Sequence, residues 1–274
     1  MGLVDSNLSG VDSSNERTKM ESRGSYLVKP ILEIGCGTFG RVEKIELYNT
    51  NGHLCGEYAR KVLSVNNNIV GSIFSPDDWR RRFEREVTYQ ARCQHANVVP
   101  VLIHNLKSEH PWFVMPLAET DLLNEIEQNL LDDDQKLNVI KMTLLGIEFV
   151  HKQGYLHRDL KPENILKFSD GYYKISDFGL VRQDDPSAAS AVLTNIAVSM
   201  GTEGYKAPEV NSGLYSQKTD IYAAGAIINK LNLSHIDGID AMIGKATAYK
   251  PNARYDAVSS MLVDLDSIIK GRQA

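Results

Sequence analysis

The stretch that most constrains this 274-residue chain is His157-Arg158-Asp159-Leu160-Lys161-Pro162-Glu163-Asn164, followed by Asp177-Phe178-Gly179. Phosphoryl transfer needs a group that orients the attacking hydroxyl, a cation on the transferring phosphoryl, and hard oxygen ligands for Mg²⁺. Asp159, Lys161, Asn164 and Asp177 supply that set within one short segment. Any fold for this chain has to carry the segment on rigid elements and bring its parts to one place.

The flanking sequence predicts two kinds of scaffold. From Tyr26 to about Met115, short runs (Ile31–Ile34, Val42–Tyr48, Gly56–Leu63) alternate with turn signals such as Asn49-Thr50-Asn51-Gly52, and read as strands. One helix interrupts them over Pro76–Ala91, with Trp79, Phe83, Val87 and Gln90 at helical spacing. The apolar runs Val98–Ile103 and Trp112–Met115 extend the small sheet. Beyond residue 118 the period becomes helical. Asp132–Asp134 opens a helix whose face holds Leu137, Ile140, Leu144 and Ile147, and Gly154 stops it. Further helices are expected at Thr219–Leu231, Asp237–Tyr249 and Arg254–Lys270. The first 25 residues, serine-rich and without periodicity, read as a disordered tail, and 271–274 as a C-terminal tail. Met1-Gly2-Leu3-Val4-Asp5-Ser6 fits a myristoylation pattern too short to outweigh a solvated tail.

Composition narrows the function classes. Thirty Lys plus Arg against 35 Asp plus Glu leave a net charge of −5, against a nucleic-acid coat. No apolar run is long enough to span a membrane, and no signal peptide is present. Three cysteines, at 36, 55 and 93, form neither a metal pair nor an even disulfide set, which suits a cytoplasmic protein.

Gly35-Cys36-Gly37-Thr38-Phe39-Gly40 is a weak signal alone. Because a strand rather than a helix follows it, the glycines sit at a hairpin, where backbone N–H groups can approach phosphate oxygens. A plain hairpin is the alternative. Lys61, in a strand of small and apolar residues, needs a partner if it points inward; Glu86 is the candidate and Glu84 its rival.

Together with Ala207-Pro208-Glu209, this series resembles the eukaryotic-type (Hanks-type) serine/threonine protein kinase family over residues 26–270. The resemblance implies an α+β, two-lobed fold, with a β-rich N-lobe at 26–117 and a mostly helical C-lobe at 118–270. It implies phosphate binding by Gly35, Gly37, Gly40 and Lys61, with Glu86 as the lysine's partner. It implies Asp159 as catalytic aspartate, Lys161 at the γ-phosphate, and Asn164 and Asp177 as metal ligands. Thr202 would bond the catalytic aspartate and lysine. Val42, Ala59 and Leu166 would sandwich adenine, Met115 would guard the back of its pocket, and Pro116, Leu117 and Ala118 would form the hinge. The implied cofactors are ATP and Mg²⁺, with Mn²⁺ as an alternative metal. The implied partner is a protein substrate bearing Ser or Thr, with autophosphorylation of the activation segment. Oligomeric state stays open.

The rival readings are a pseudokinase scaffold, separable by an autophosphorylation assay, and a small-molecule kinase, which usually lacks the Ala-Pro-Glu and Gly201-Thr202-Glu203-Gly204-Tyr205 segments. Departures from the family pattern are Gln90 at a usually apolar position, an inserted Asn-rich stretch near Asn66–Asn68, and a short interval from Asp220 to Arg254. That interval leaves no room for one family helix after the Asp220 helix, so neighbouring helices are expected to close over Ile221, Tyr222, Ile227, Ile228, Leu231 and Leu233, the alternative being an apolar patch left for a partner or a second copy. Arg254 is expected to pair with Glu209, His157 to pack in the core, and Thr194 or Ser199 to serve as phosphorylated switch sites facing Arg158.

Overall fold

A computed structural model describes residues 20–36, 40–64, 75–183 and 204–273. Gly2, Gly37, Asn66–Asn68, Thr194, Ser199 and Thr202 lie outside the described residues. The chain divides into two compact units, one within Met1–Ile73 and Ile103–Leu117, the other within Phe74–Leu102 and Ala118–Ala274.

The first unit is one antiparallel sheet. Its strands are β1 (Glu21–Arg23), β2 (Tyr26–Cys36), β3 (Gly40–Asn49), β4 (Leu54–Leu63), β5 (Ile103–Asn105) and β6 (Trp112–Pro116), in the order β1-β2-β3-β4-β6-β5. The predicted turn closes β3 on β4, with Asn49 Oδ1 accepting from the N–H groups of Asn51 and His53 and Gly52 at φ 79°. That φ is the left-handed region where glycine is at ease.

Side chains bridge the two edges of the sheet. Arg23 on β1 donates to the His104 carbonyl on β5 at 3.0 Å, and Trp112 Nε1 donates to Glu21 at 2.7 Å. The sheet therefore curls around Val28, Ile45, Leu47, Val62, Trp112 and Val114. Arg60 is buried beside this core. It donates to Glu43 at 2.7 and 3.0 Å and to Glu21 at 3.0 Å. Burial works to raise the Glu43 carboxyl's pKa, but the Arg41 and Arg60 guanidiniums hold it below the usual range.

These contacts correct the expected tail of 25 residues. Glu21–Arg23 is sequence-polar but becomes a strand because its ladder and its carboxylate both find partners. The run Val98–Ile103 is not a strand either: Val98 makes one isolated bridge to Ile175, and only Ile103 enters β5.

The second unit carries helices α1 (Pro76–Arg92), α2 (Leu122–Glu127), α3 (Asp133–Lys152), α4 (Gln217–Lys230), α5 (Ile239–Ala246) and α6 (Val258–Gln273). Short strands β7 (Thr120–Asp121), β8 (Tyr155–Leu156), β9 (Ile165–Lys167), β10 (Tyr173–Ile175) and β11 (Arg182–Gln183) connect them. Reciprocal caps start α1 (Ser75 with Asp78) and α3 (Asp132 with Gln135), satisfying N–H groups that a first turn leaves open. The sequence places helix α1 with the small sheet. It groups instead with the second unit, because Arg82 and Gln90 bond that unit's backbone and Arg92 its Tyr155. Helix α6 runs on through the expected C-terminal tail to Gln273.

The core of this unit lies between α3, α4 and α6. One eight-residue helix, α5, stands between α4 and α6, so the interval is as short as the sequence implies. The neighbours close in on most of the expected set: Ile221, Ile227, Ile228, Leu231 and Leu233 are buried, whereas Tyr222 is only half-buried, its ring 4.9 Å from the Arg254 guanidinium. Gly225 permits the approach, since a Cβ there would stand 2.6 Å from that of Ala246. Arg254, with a fully buried side chain, makes a two-pronged bond to Glu209 at 2.7 and 2.8 Å, as expected.

Candidate active site

The decisive segment is carried by the second unit. Strand β8 leads into it, and the hairpin β9–β10 places residues 165 and 175 opposite one another. One step beyond that pair, Ser176 N–H and Oγ both bond the Asn164 carbonyl, at 2.8 and 3.1 Å. The hairpin thus brings Asn164 to the strand end that carries Asp177. Asp177 is left-handed, φ 60° and ψ 74°, and its carboxylate accepts from Gly179 N at 3.3 Å.

Asn164 Nδ2 donates to both the carbonyl and the carboxylate of Asp159, at 2.8 and 3.1 Å. These bonds engage the amide nitrogen of Asn164. Lys161 Nζ lies 3.5 Å from Asp159 Oδ2. Burial raises the Asp159 carboxyl's pKa; Lys161 opposes the rise and the nearby Asp177 charge adds to it. A carboxylate, an amide oxygen and no soft donor form an oxygen set that suits Mg²⁺ rather than zinc. Among the described residues no cluster of three or more His, Cys, Asp or Glu is arranged to hold a metal. A cation bound chiefly by phosphate oxygens and one or two protein ligands needs no such cluster.

The backbone of this loop is fixed from below. Asp220, on α4, accepts from His157 N and His151 Nε2 with one oxygen, both at 2.8 Å, and from Arg158 N with the other at 2.9 Å. His157 is fully buried, as expected, and donates through Nε2 to the Ser176 carbonyl. It packs edge-on against Phe178. Arg158, at φ 70°, lies flat on the Tyr215 ring at 3.6 Å. Sequence reasoning uses Asp220 only as a landmark and passes over Tyr215 and Arg82. The signal for Asp220 is an acid on an otherwise apolar helix face.

The remaining candidates divide between the units. In the first, cross-strand pairs put Val42 with Lys61, Lys61 with Phe113, and Ala59 with Met115, so Val42, Ala59, Lys61 and Met115 share one sheet face. Gly40 is needed where it is, since a Cβ would stand 2.8 Å from the Val62 carbonyl oxygen and 3.7 Å from Lys61 Cε. Gly35 sits in the paired strand opposite Val42. Pro116 closes β6, and Leu117 and Ala118 lie on either side of the division between units. In the second unit, Leu166 lies on β9 and Glu86 is buried on α1.

Residues 29–236 match the protein kinase domain family. The chain is 32% identical over 234 residues to the serine/threonine-protein kinase PknL of Mycobacterium tuberculosis, covering 73% of this chain and 58% of that one. It is also 32% identical to the serine/threonine-protein kinase chk1 of Schizosaccharomyces pombe, over 74% of this chain and 40% of the other. A third relative, cyclin-dependent kinase F-3 of Oryza sativa, is 32% identical over 74% of this chain and 43% of its own. The chain thus spans between two fifths and three fifths of these relatives' lengths. With the match covering most of its residues, the chain belongs to the protein kinase family, among its Hanks-type serine/threonine members.

Proposed function

We propose that the protein transfers the γ-phosphate of ATP to Ser or Thr hydroxyls of protein substrates, including its own activation segment. The observation that carries this reading is the convergence of Asp159, Lys161, Asn164 and Asp177 on one hairpin and loop.

Asp159 accepts a hydrogen bond from the substrate hydroxyl and orients it for in-line attack. Its raised pKa makes it a better proton acceptor as the bond forms. Lys161 offsets the charge of the transferring group. Asn164 Oδ1 and the Asp177 carboxylate are the residues that would hold Mg²⁺, which when bound neutralises the phosphate oxygens; Mn²⁺ suits the same oxygens. In this reading the phosphates fall to Lys61 and the glycines Gly35, Gly37 and Gly40, with Glu86 as the partner the resemblance gives to Lys61. By the same resemblance Val42, Ala59 and Leu166 would contact adenine, Met115 would limit how deep it reaches, and backbone groups of Pro116–Ala118 would bond the ring's edge. Pro116 has no N–H, so donors there must come from its neighbours. The resemblance gives Thr202, outside the described residues, the role of bonding Asp159 and Lys161.

Two features bear on where this happens. Among the described residues no helix is long and apolar enough to cross a membrane. Cys36, Cys55 and Cys93 are not joined in disulfides, in keeping with a reducing cytoplasm.

Incubation with labelled ATP and Mg²⁺ should label protein substrates and not sugars or amines. Asp159→Ala should reduce the rate by a factor of about 10³ or more, the scale of losing a reaction-orienting group, with an unchanged circular dichroism spectrum. Near-normal transfer by a folded Asp159→Ala protein would remove the assignment.

A further inference from the structure

Helix α1 buries three polar side chains at a spacing of four: Arg82, Glu86 and Gln90, with 6, 4 and 1% of their surface exposed. Residues so spaced lie one above another on a single helix face. A buried polar stripe on an otherwise apolar face costs free energy unless its members are bonded. Here the two outer members are bonded to backbone. Arg82 Nε donates to the Gly179 carbonyl at 2.9 Å, and Gln90 Nε2 donates to the Val99 carbonyl at 2.9 Å.

Those two carbonyls share a destination. Gly179 stands two residues after Asp177. Val99 N–H donates to the Ile175 carbonyl at 3.0 Å, and Ile175 stands two residues before Asp177. The Asn97 carbonyl accepts from Ile175 N–H at 3.0 Å, so residues 97–99 are stitched to the strand that enters Asp177. Between the two attachments lies Glu86, whose carboxylate comes within 3.3 Å of where a Gly179 Cβ would be.

We propose that Arg82 and Gln90 are positioning residues that latch α1 to both sides of Asp177, so that the places of Glu86 and Asp177 are set together. The proposal rests on the kinase reading above, in which Asp177 holds the metal and Glu86 steadies the phosphate-binding lysine. It also accounts for Gln90. Where the resemblance leads one to expect an apolar residue, the amide reaches a carbonyl that an apolar side chain cannot. Arg82 is further held by the face of Trp79, 5.6 Å away.

The test uses Arg82→Met and Gln90→Met, which keep length and apolar packing, and Arg82→Lys, which keeps a donor. In the protein without nucleotide or metal, hydrogen exchange at Phe178–Val181 should rise about tenfold or more in Arg82→Met, and at 97–99 and 175 in Gln90→Met, the scale of a lost bond to a carbonyl. Arg82→Lys should recover part of the protection. In transfer assays the half-saturating Mg²⁺ concentration should rise about tenfold in both Met variants, with much of the rate restored at high Mg²⁺, since a ligand that favours the aligned state draws the population back. Unchanged exchange at those segments in a folded variant would overturn the latch, and so would a uniform rise across the whole unit or an unchanged Mg²⁺ dependence. If Arg82→Met does not fold, Gln90→Met and Arg82→Lys decide by the same criteria. A wild-type protein that transfers no phosphate would sink the kinase reading, whereas the exchange measurement judges the latch regardless.

Discussion

Two aspartates in the second unit, the buried Asp220 and the part-buried Asp159, hold opposite electrostatic positions. Asp220 is 1% exposed, and burial alone would raise its pKa. Hydrogen bonding by His151, the nearby His157 and the Arg158 N–H hold it below the usual carboxylate range instead. The Asp159 side chain is 14% exposed and bonded by one amide, with Lys161 at 3.5 Å, and its pKa is raised. The comparison teaches that loss of water, which works to raise both carboxyls, does not by itself distinguish a structural acid from a reactive one. Saturation with donors does: Asp220 has its acceptor sites filled from within the chain, whereas Asp159 retains capacity for something that arrives.

Breaking the saturated member should have the largest effect. Asp220→Ala strands two backbone N–H groups and a histidine in the interior, at a cost of about 3–5 kcal/mol in denaturant unfolding. The pH dependence follows from the sign of the shift. Because the folded pKa is depressed, the unfolded chain binds more protons below about pH 4, so Asp220 adds stability above that value and loses it as pH falls through the folded pKa. Asp220→Asn should flatten the acid limb of the stability curve. An acid limb unchanged by the substitution would mean other carboxylates govern it.

The first unit offers a milder version of the same contrast. Glu21 is a saturated acceptor at a sheet seam, bonded by Trp112 and Arg60. Arg60 keeps Glu43 through Nε and Nη2 when Glu21 is lost, while the Trp112 indole N–H, Arg60 Nη1 and the long bond from Asn105 Nδ2 lose an acceptor that is itself 35% exposed to water. Glu21→Ala should therefore cost about 1–2 kcal/mol. It should also loosen β1, read as faster exchange at 21–23 and 103–105. A loss as large as that for Asp220→Ala would show that the seam, rather than the apolar core, holds the curled sheet.

How far the sequence reveals these features depends on how far apart the partners lie along the chain. The loop from His157 to Asn164 is legible because its chemistry is contiguous, and Asp177 follows it across a single hairpin. The starts of α1 and α3 are legible because their caps are local. Glu21 is not, since its partners lie 39 and 91 residues away and the surrounding serines read as tail. Asp220 is hidden in the same way, with partners 62, 63 and 69 residues distant. Helix α1 is recognisable as a helix, but its allegiance rests on two bonds to carbonyls that no side-chain pattern announces. The Arg254–Glu209 bridge is accessible, although 45 residues separate its ends, through the resemblance rather than through any local signal.

The smallest effect tests the unsaturated member. Burial and the Asp177 charge work against the ionised form of Asp159, and Lys161 and Asn164 only partly offset them. Its folded pKa is raised, so between the unfolded value near about pH 4 and the folded one the native state binds more protons, and stability falls as pH rises through that window. Asp159→Asn removes the charge while keeping the shape and an oxygen for the Asn164 amide. It should stabilise the protein at pH 7 by about 0.5–2 kcal/mol, as relieved active-site strain commonly does, while phosphoryl transfer is lost. At a pH well below the unfolded pKa the gain should vanish, because the wild-type carboxyl is then neutral in both states. Thermal unfolding of both proteins across that range, without nucleotide or metal, measures the difference. A substitution that destabilises at neutral pH would place Asp159 with Asp220 among the structural acids.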